Sequence, residues 1–111
     1  MCRALKLLCA APDRDCLGAL KRATVAAHWE LVGGATSLQE LVKQADEWRP
    51  DIVVVDGGMG VGAVTGVRAR LPSVRIVSVG PLAGADEVAR SLDGVREAIL
   101  GLPPIGGPVH Q

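Results

Sequence analysis

Two aspartates and a glycine run are the residues whose types and spacing could do chemistry. Asp56 closes the segment Asp51-Ile52-Val53-Val54-Val55-Asp56, and glycines follow at Gly57, Gly58, Gly60 and Gly62. Consecutive apolar residues of this kind read as a strand buried on both faces. A carboxylate at the carboxyl end of such a strand stands where open α/β sheets hold their ligands. Whether it can do chemistry depends on the groups that stand beside it. Asp13 follows Pro12, and capping of a helix already explains it. Asp56 could equally serve as a carboxylate that hydrogen-bonds loop amides.

The glycines allow a different chemistry. Gly58, Gly60 and Ala63 have the spacing GxGxxA, which after a strand can seat a pyrophosphate on a helix N-terminus. That fingerprint belongs after the first strand of a dinucleotide-binding unit, whereas here it follows the third, and Asp56 would repel a phosphate. The alternative is a flexible loop. Cys2, Cys9 and Cys16 form no CxxC and make no metal-ligand spacing with His28 or His110. They read as thiols in a reducing compartment. Ser73, Ser78 and Ser91 pair with neither histidine, so a hydrolase triad has no support. Arg68, Arg70 and Arg75 read as a solvated face, because no aromatic interleaves with them for stacking on bases.

These residues need elements to position them. Leu5–Ala10 reads as a strand. Asp13 opens a helix marked by Leu17, Leu20, Thr24 and Ala27. Trp29–Val32 is a second strand, ended by Gly33-Gly34. Ser37-Leu38-Gln39-Glu40 is a capping box, and Leu38, Leu41, Val42, Ala45 and Trp48 trace one helical face behind it. Pro50 ends that helix. The third strand is Asp51–Val55, then comes a helix over Ala63–Leu71 stopped by Pro72, and Val74–Val79 is the fourth strand. The spacing predicts a short helix over Ala85–Leu92 and an edge strand over Val95–Leu100. Residues 102–111 read as a Pro/Gly-rich tail. Such alternation implies a parallel sheet with helices on both faces.

Composition limits the partners. A chain of 111 residues suits one domain. Its 12 basic and 12 acidic residues cancel, leaving no global field to draw in nucleic acid or an anionic membrane. No stretch approaches the ~20 apolar residues of a membrane span. Arg3 and Lys6 interrupt the first apolar stretch, so no signal peptide is expected and a cytoplasmic location is.

Residues 5–101 resemble a response-regulator receiver domain. The segment that carries the resemblance is Arg49-Pro50-Asp51-Ile52-Val53-Val54-Val55-Asp56-Gly57-Gly58-Met59-Gly60. Receivers show Arg-Pro-Asp, an apolar strand, the acceptor aspartate, two variable residues and Met-Pro. Here Gly60 stands in the place of that proline. The resemblance implies a CheY-like, flavodoxin-like fold with strand order 2-1-3-4-5 and Asp56 as phosphoacceptor. It also implies signalling through the face of helix four and strand five.

The family's other site residues are not matched. Ala11-Pro12 stands where an acidic pair would hold Mg²⁺, with Asp13 one step later. Gly80 stands where a Ser or Thr would end strand four. Ala98 replaces the aromatic of strand five, and Gly101 falls at the position of the lysine that ends it. The last helix is expected to be missing, leaving a sheet face for a partner or a second copy. Without Mg²⁺ and the lysine, the charge that develops in phosphoryl transfer is not neutralised. One or two aspartates make a poor octahedral Mg²⁺ site.

Residues 1–101 are therefore expected to form a non-enzymatic pseudo-receiver with no cofactor, acting through protein partners or as a homodimer. The alternatives are a phosphoryl-accepting regulator using Asp56, and a sensor of small anions or nucleotides using the loop from Gly57 to Gly62.

Overall fold

The computed structural model describes residues 5–26 and 29–100. Cys2, His28, Gly101, His110 and the tail lie outside the described residues. Five parallel strands alternate with helices: β1 (Leu5–Ala10), α1 (Arg14–Thr24), β2 (Trp29–Ala35), α2 (Leu38–Trp48), β3 (Ile52–Asp56), α3 (Val61–Arg70), β4 (Arg75–Val79), β5 (Glu87–Ala89) and α4 (Val95–Leu100). The sheet order is β2-β1-β3-β4-β5. This is the expected doubly wound, flavodoxin-like order.

The buried runs of β1, β3 and β4 each feed two cores, because successive side chains leave opposite faces of a sheet. Leu8, Val53, Val55 and Ile76 join Leu41, Ala45, Val64 and Val67 beneath α2 and α3. Leu7, Val54 and Val77 join Leu20, Trp29, Val95 and Ile99 beneath α1 and α4. Asp51 fixes the start of β3: its Oδ2 accepts from the Lys6 amide at 2.9 Å, and its own amide donates to the Lys6 carbonyl at 2.9 Å. Trp29 donates its indole N–H to the Thr24 carbonyl, tying the end of α1 to β2.

The helix starts follow the side chains expected to cap them. Asp13 Oδ1 accepts from the Cys16 amide at 2.8 Å. Ser37 Oγ accepts from the Glu40 amide at 3.1 Å. Glu40 reaches back one residue further than a reciprocal box requires, accepting from the Thr36 amide at 2.9 Å. Helix α2 stops at Trp48, and Arg49 takes the left-handed conformation at φ 49° ahead of Pro50. Gly62 and Gly66 present a bare face of α3 to α2. A Cβ on Gly66 would lie 3.0 Å from Val42 Cγ2 and 3.4 Å from Leu38 Cδ1.

The carboxyl-terminal third departs from expectation. Ala85–Leu92 is not a helix: β4 passes to β5 through a non-helical connection. Asp86, expected to start that helix, instead turns its carboxylate to the Ile76 amide at 2.8 Å and to Arg68 Nη2 at 2.9 Å. Val95–Leu100 is a helix and not an edge strand. Val95 and Ile99, four residues apart, lie one turn apart on its buried face. The last helix is thus present in shortened form among the described residues, and it covers the face expected to be bare.

Candidate functional site

The carboxyl edge of the sheet brings together the ends of β1, β3, β4 and β5. Register places Asp56 beside Val79, and Val79 beside Ala89. Asp56 is half-buried and caps the 3-10 turn Gly57–Met59, its Oδ1 accepting from the Gly58 amide at 2.8 Å. The loop is tight on both sides. A Cβ on Gly57 would lie 3.0 Å from the Pro81 carbonyl oxygen and 3.1 Å from that of Val79, and one on Gly58 would lie 3.4 Å from Pro12 Cγ. Gly60 has φ 83°, a conformation natural to glycine, and leads into α3. A proline there would be excluded by its fixed negative φ.

Asp13 is committed to α1. Besides the amide bond, its Oδ2 accepts from the Cys16 thiol at 3.6 Å, a weak contact at sulfur range. The Cys16 amide, with help from the thiol, holds the Asp13 carboxyl below the usual aspartate range. The same Asp13 contact pushes the Cys16 thiol up, and the charge of Asp56 adds to the effect. Asp13, Cys16 and Asp56 therefore share one electrostatic neighbourhood. Among the described residues, no group of three or more His, Cys, Asp or Glu side chains could hold a metal ion.

The hydroxyl at this edge is turned away. Ser78 is buried and donates to the Gly80 carbonyl at 2.8 Å. Gly80 itself has φ 90° and leaves its Cβ position open. In the glycine loop, the Gly58 amide is spent on Asp56. Ala63, expected to pack a dinucleotide turn, is buried and donates its amide to the Gly60 carbonyl at 3.1 Å.

Two expected positions are corrected. Ala98 belongs to α4 and packs against the core beneath α1 and α4, so it is not on strand five. Strand five ends at Ala89, well before Gly101, and the residue that follows it is Arg90, which is exposed. Arg90 was not singled out in the sequence because the helix and strand after β4 were exchanged. The spacing Leu92, Val95, Ala98, Ile99 is helical and would have placed strand five before Leu92, with Arg90 near its end.

No protein-family model and no curated protein matches the sequence. Solved structures do match in fold. The response regulator domain of CheB from Thermotoga maritima aligns with a TM-score of 0.69 at 18% identity, over 91% of this chain and 100% of that one. The REC domain of AraT, a response regulator from Geobacillus stearothermophilus, aligns at 0.71 and 18%, over 88% and 92%. The CheX–CheY–BeF3–Mg²⁺ complex from Borrelia burgdorferi aligns at 0.69 and 17%, over 86% and 84%. The fold of this chain is the CheY-like fold of response-regulator receiver domains.

Proposed function

We propose that this chain is a non-enzymatic interaction module on a receiver scaffold, signalling through protein contacts without phosphoryl transfer. The observation that carries this reading is that Asp56 and Asp13 each cap a backbone amide, at an edge where no group of three metal-ligating His, Cys, Asp or Glu side chains occurs among the described residues. Gly80, where a hydroxyl would contact a phosphoryl group, supports it. So does the non-helical path from β4 to β5, which removes the element that receivers use for output. A neighbouring structure is a complex between CheX and CheY, so a scaffold of this kind docks on protein there. The balanced charge gives no field for nucleic acid or an anionic membrane. Among the described residues no helix is long and apolar enough to cross a membrane. The proposed setting is cytoplasmic, with Mg²⁺ playing no part.

Intact mass and melting temperature with Mg²⁺ and acetyl phosphate, for wild type and Asp56→Asn, test the proposal. No mass gain and no Mg²⁺-dependent stabilisation are expected. A gain of one phosphoryl group in wild type alone overturns it.

Arg90 favours a second reading. It follows Ala89, which stands two strands from Asp56 in register, or ~10 Å at ordinary strand spacing. A long guanidinium there could neutralise an aspartyl phosphate in place of the lysine. On this reading Asp56 is phosphorylated and Arg90→Ala abolishes the gain. The third reading, a nucleotide held by Gly57, Gly58 and Gly60, requires thermal stabilisation by a nucleotide.

A further inference from the structure

Helices α2 and α3 leave a furrow between them on their solvent side. It encloses about 490 Å³ and is lined by Leu38, Gln39, Val42, Lys43, Asp46 and Arg70. That volume is ordinary for a ligand groove. Its width comes from α3, where Gly62 and Gly66 stand opposite Leu38 and Val42; a Cβ on Gly62 would lie 3.7 Å from Leu38 Cδ2. Leu38, 45% exposed, is an apolar wall at one end. The other end is cationic. Asp46 is shared between Arg49 Nη2 and Arg70 Nη1, each at 3.7 Å. Those separations are too long for hydrogen bonds, so both guanidiniums keep their donors. Lys43 makes no ion pair among the described residues. Glu47 lies outside the furrow, and Asp51 gives its carboxylate to the Lys6 amide. Three cations thus answer one carboxylate here, in a chain whose net charge is zero.

We infer that this furrow docks a helical segment of a different protein, one that carries an aliphatic side chain and, one turn on, a carboxylate. A groove between two helices suits a third helix, anchored by side chains at helical spacing. The aliphatic group lies over Leu38 and Val42, against the bare backbone of α3. The carboxylate takes the open donors of Lys43 and Arg70, as a charge-assisted acceptor. A second copy of this chain does not fit: two-fold pairing through the same patch sets Lys43 and Arg70 against their own kind. The inference rests on the reading of the chain as an interaction module and gives that module its surface.

Nuclear magnetic resonance titration of the isotope-labelled full chain tests this. The probe is a blocked helical peptide with leucine and glutamate at i, i+4 spacing. Its counterparts replace Glu by Lys, or Leu by Ser. Amide shifts are expected over residues 38–46 and 62–70 with the leucine–glutamate peptide and with neither counterpart. Leu38→Ser and Lys43→Glu should each weaken binding by at least about tenfold, with unchanged far-UV circular dichroism. Lys43→Glu combined with Arg70→Glu should transfer the preference to the lysine peptide. If Leu38→Ser does not fold, that exchange decides: its occurrence supports the docking and its absence refutes it. Equal binding of the lysine peptide overturns the inference, and so do shifts confined to other surfaces. Shifts at the furrow that grow with protein concentration alone also overturn it, by assigning the surface to a second copy. Repeating the titration with Mg²⁺ and acetyl phosphate separates this inference from the reading beneath it. Binding that requires the phosphodonor supports the furrow and overturns signalling without phosphoryl transfer. No shift at about 1 mM peptide in either condition overturns the furrow alone.

Discussion

The guanidinium of Arg68 lies 2.9 Å from the carboxylate of Asp86, joining α3 to the connection between β4 and β5. Arg68 also donates to the Gly84 carbonyl at 3.1 Å, and Asp86 accepts from the Ile76 amide. Together they hold a non-helical segment over the sheet, with Leu82 and Ala85 packed beneath it. The side chains are 34% and 27% exposed, so solvent screens the pair only in part. Asp86→Ala also strips the acceptor from a part-buried amide and should cost ~1–3 kcal/mol. Arg68→Ala should cost less, ~0.5–1 kcal/mol. Urea denaturation measures both; an unshifted midpoint for Asp86→Ala would remove the staple from the account.

Helix α4 is testable through one side chain. Ile99 is 4% exposed and packs beneath α1 and α4. Ile99→Ala should cost ~2–4 kcal/mol, the usual loss for a large aliphatic in a core. An exposed strand over the same residues would lose almost nothing. A melting temperature equal to wild type would refute the helix.

Restoring a hydroxyl at position 80 should not restore a receiver site. Gly80 sits at φ 90°, where a β-branched residue is strained. Gly80→Thr is therefore expected to destabilise the fold by ~1–3 kcal/mol. Acetyl phosphate should still leave its mass unchanged. A phosphorylated Gly80→Thr protein would show that the glycine alone had silenced the site.

The thiol of Cys16 reports on the aspartates around it. Its pKa is raised, chiefly by the bond to Asp13 and further by the charge of Asp56. At any alkaline pH less of it is thiolate than for a free cysteine, so alkylation is slow. Asp13→Asn keeps a good cap residue and should accelerate alkylation; Asp56→Asn should do so by less. Cys9, whose pKa burial raises, should react only on unfolding. The aspartate itself obeys the opposite sign. Its folded-state pKa is lowered, so its contribution to stability is present above the ordinary aspartate value and is lost as pH falls through the lowered one. The stability gap between wild type and Asp13→Asn should narrow over that acid range. A gap constant with pH would deny the charge any role.

The first four strands were legible in place because their signals were local, although β2 runs through Gly33-Gly34, expected to end it, as far as Ala35, both glycines pairing with β1. β3 carried Arg-Pro-Asp before it and glycine after it, and α2 carried both a cap and a stripe. β5 was not legible: three residues, Glu87-Val88-Ala89, are too few to show a period. Its pairing is decided by Asp86 reaching Ile76 across ten positions of chain, a relation that no window on the sequence contains. Asp86 and Glu87 carried a helix-start signal that this tertiary bond overrode. The exchange of helix and strand then hid Arg90. Asp13 as a helix cap and Asp56 as an acceptor for loop amides were both readings the sequence allowed, but which amide each one meets, Cys16 and Gly58, comes from the geometry.

The indole of Trp29, 6% exposed and hydrogen-bonded to the Thr24 carbonyl, contrasts with that of Trp48, 43% exposed at the end of α2. The chain has no tyrosine or phenylalanine, so its near-ultraviolet absorption and emission come from these two rings. One emits from an apolar, rigid site and the other from a wet one. The protein thus carries two built-in optical probes: a blue-shifted band reading the seam of α1 and β2, and a quenchable red-shifted band reading the surface of α2. Loss of the first without the second would mark opening of one layer of the sandwich while the other holds.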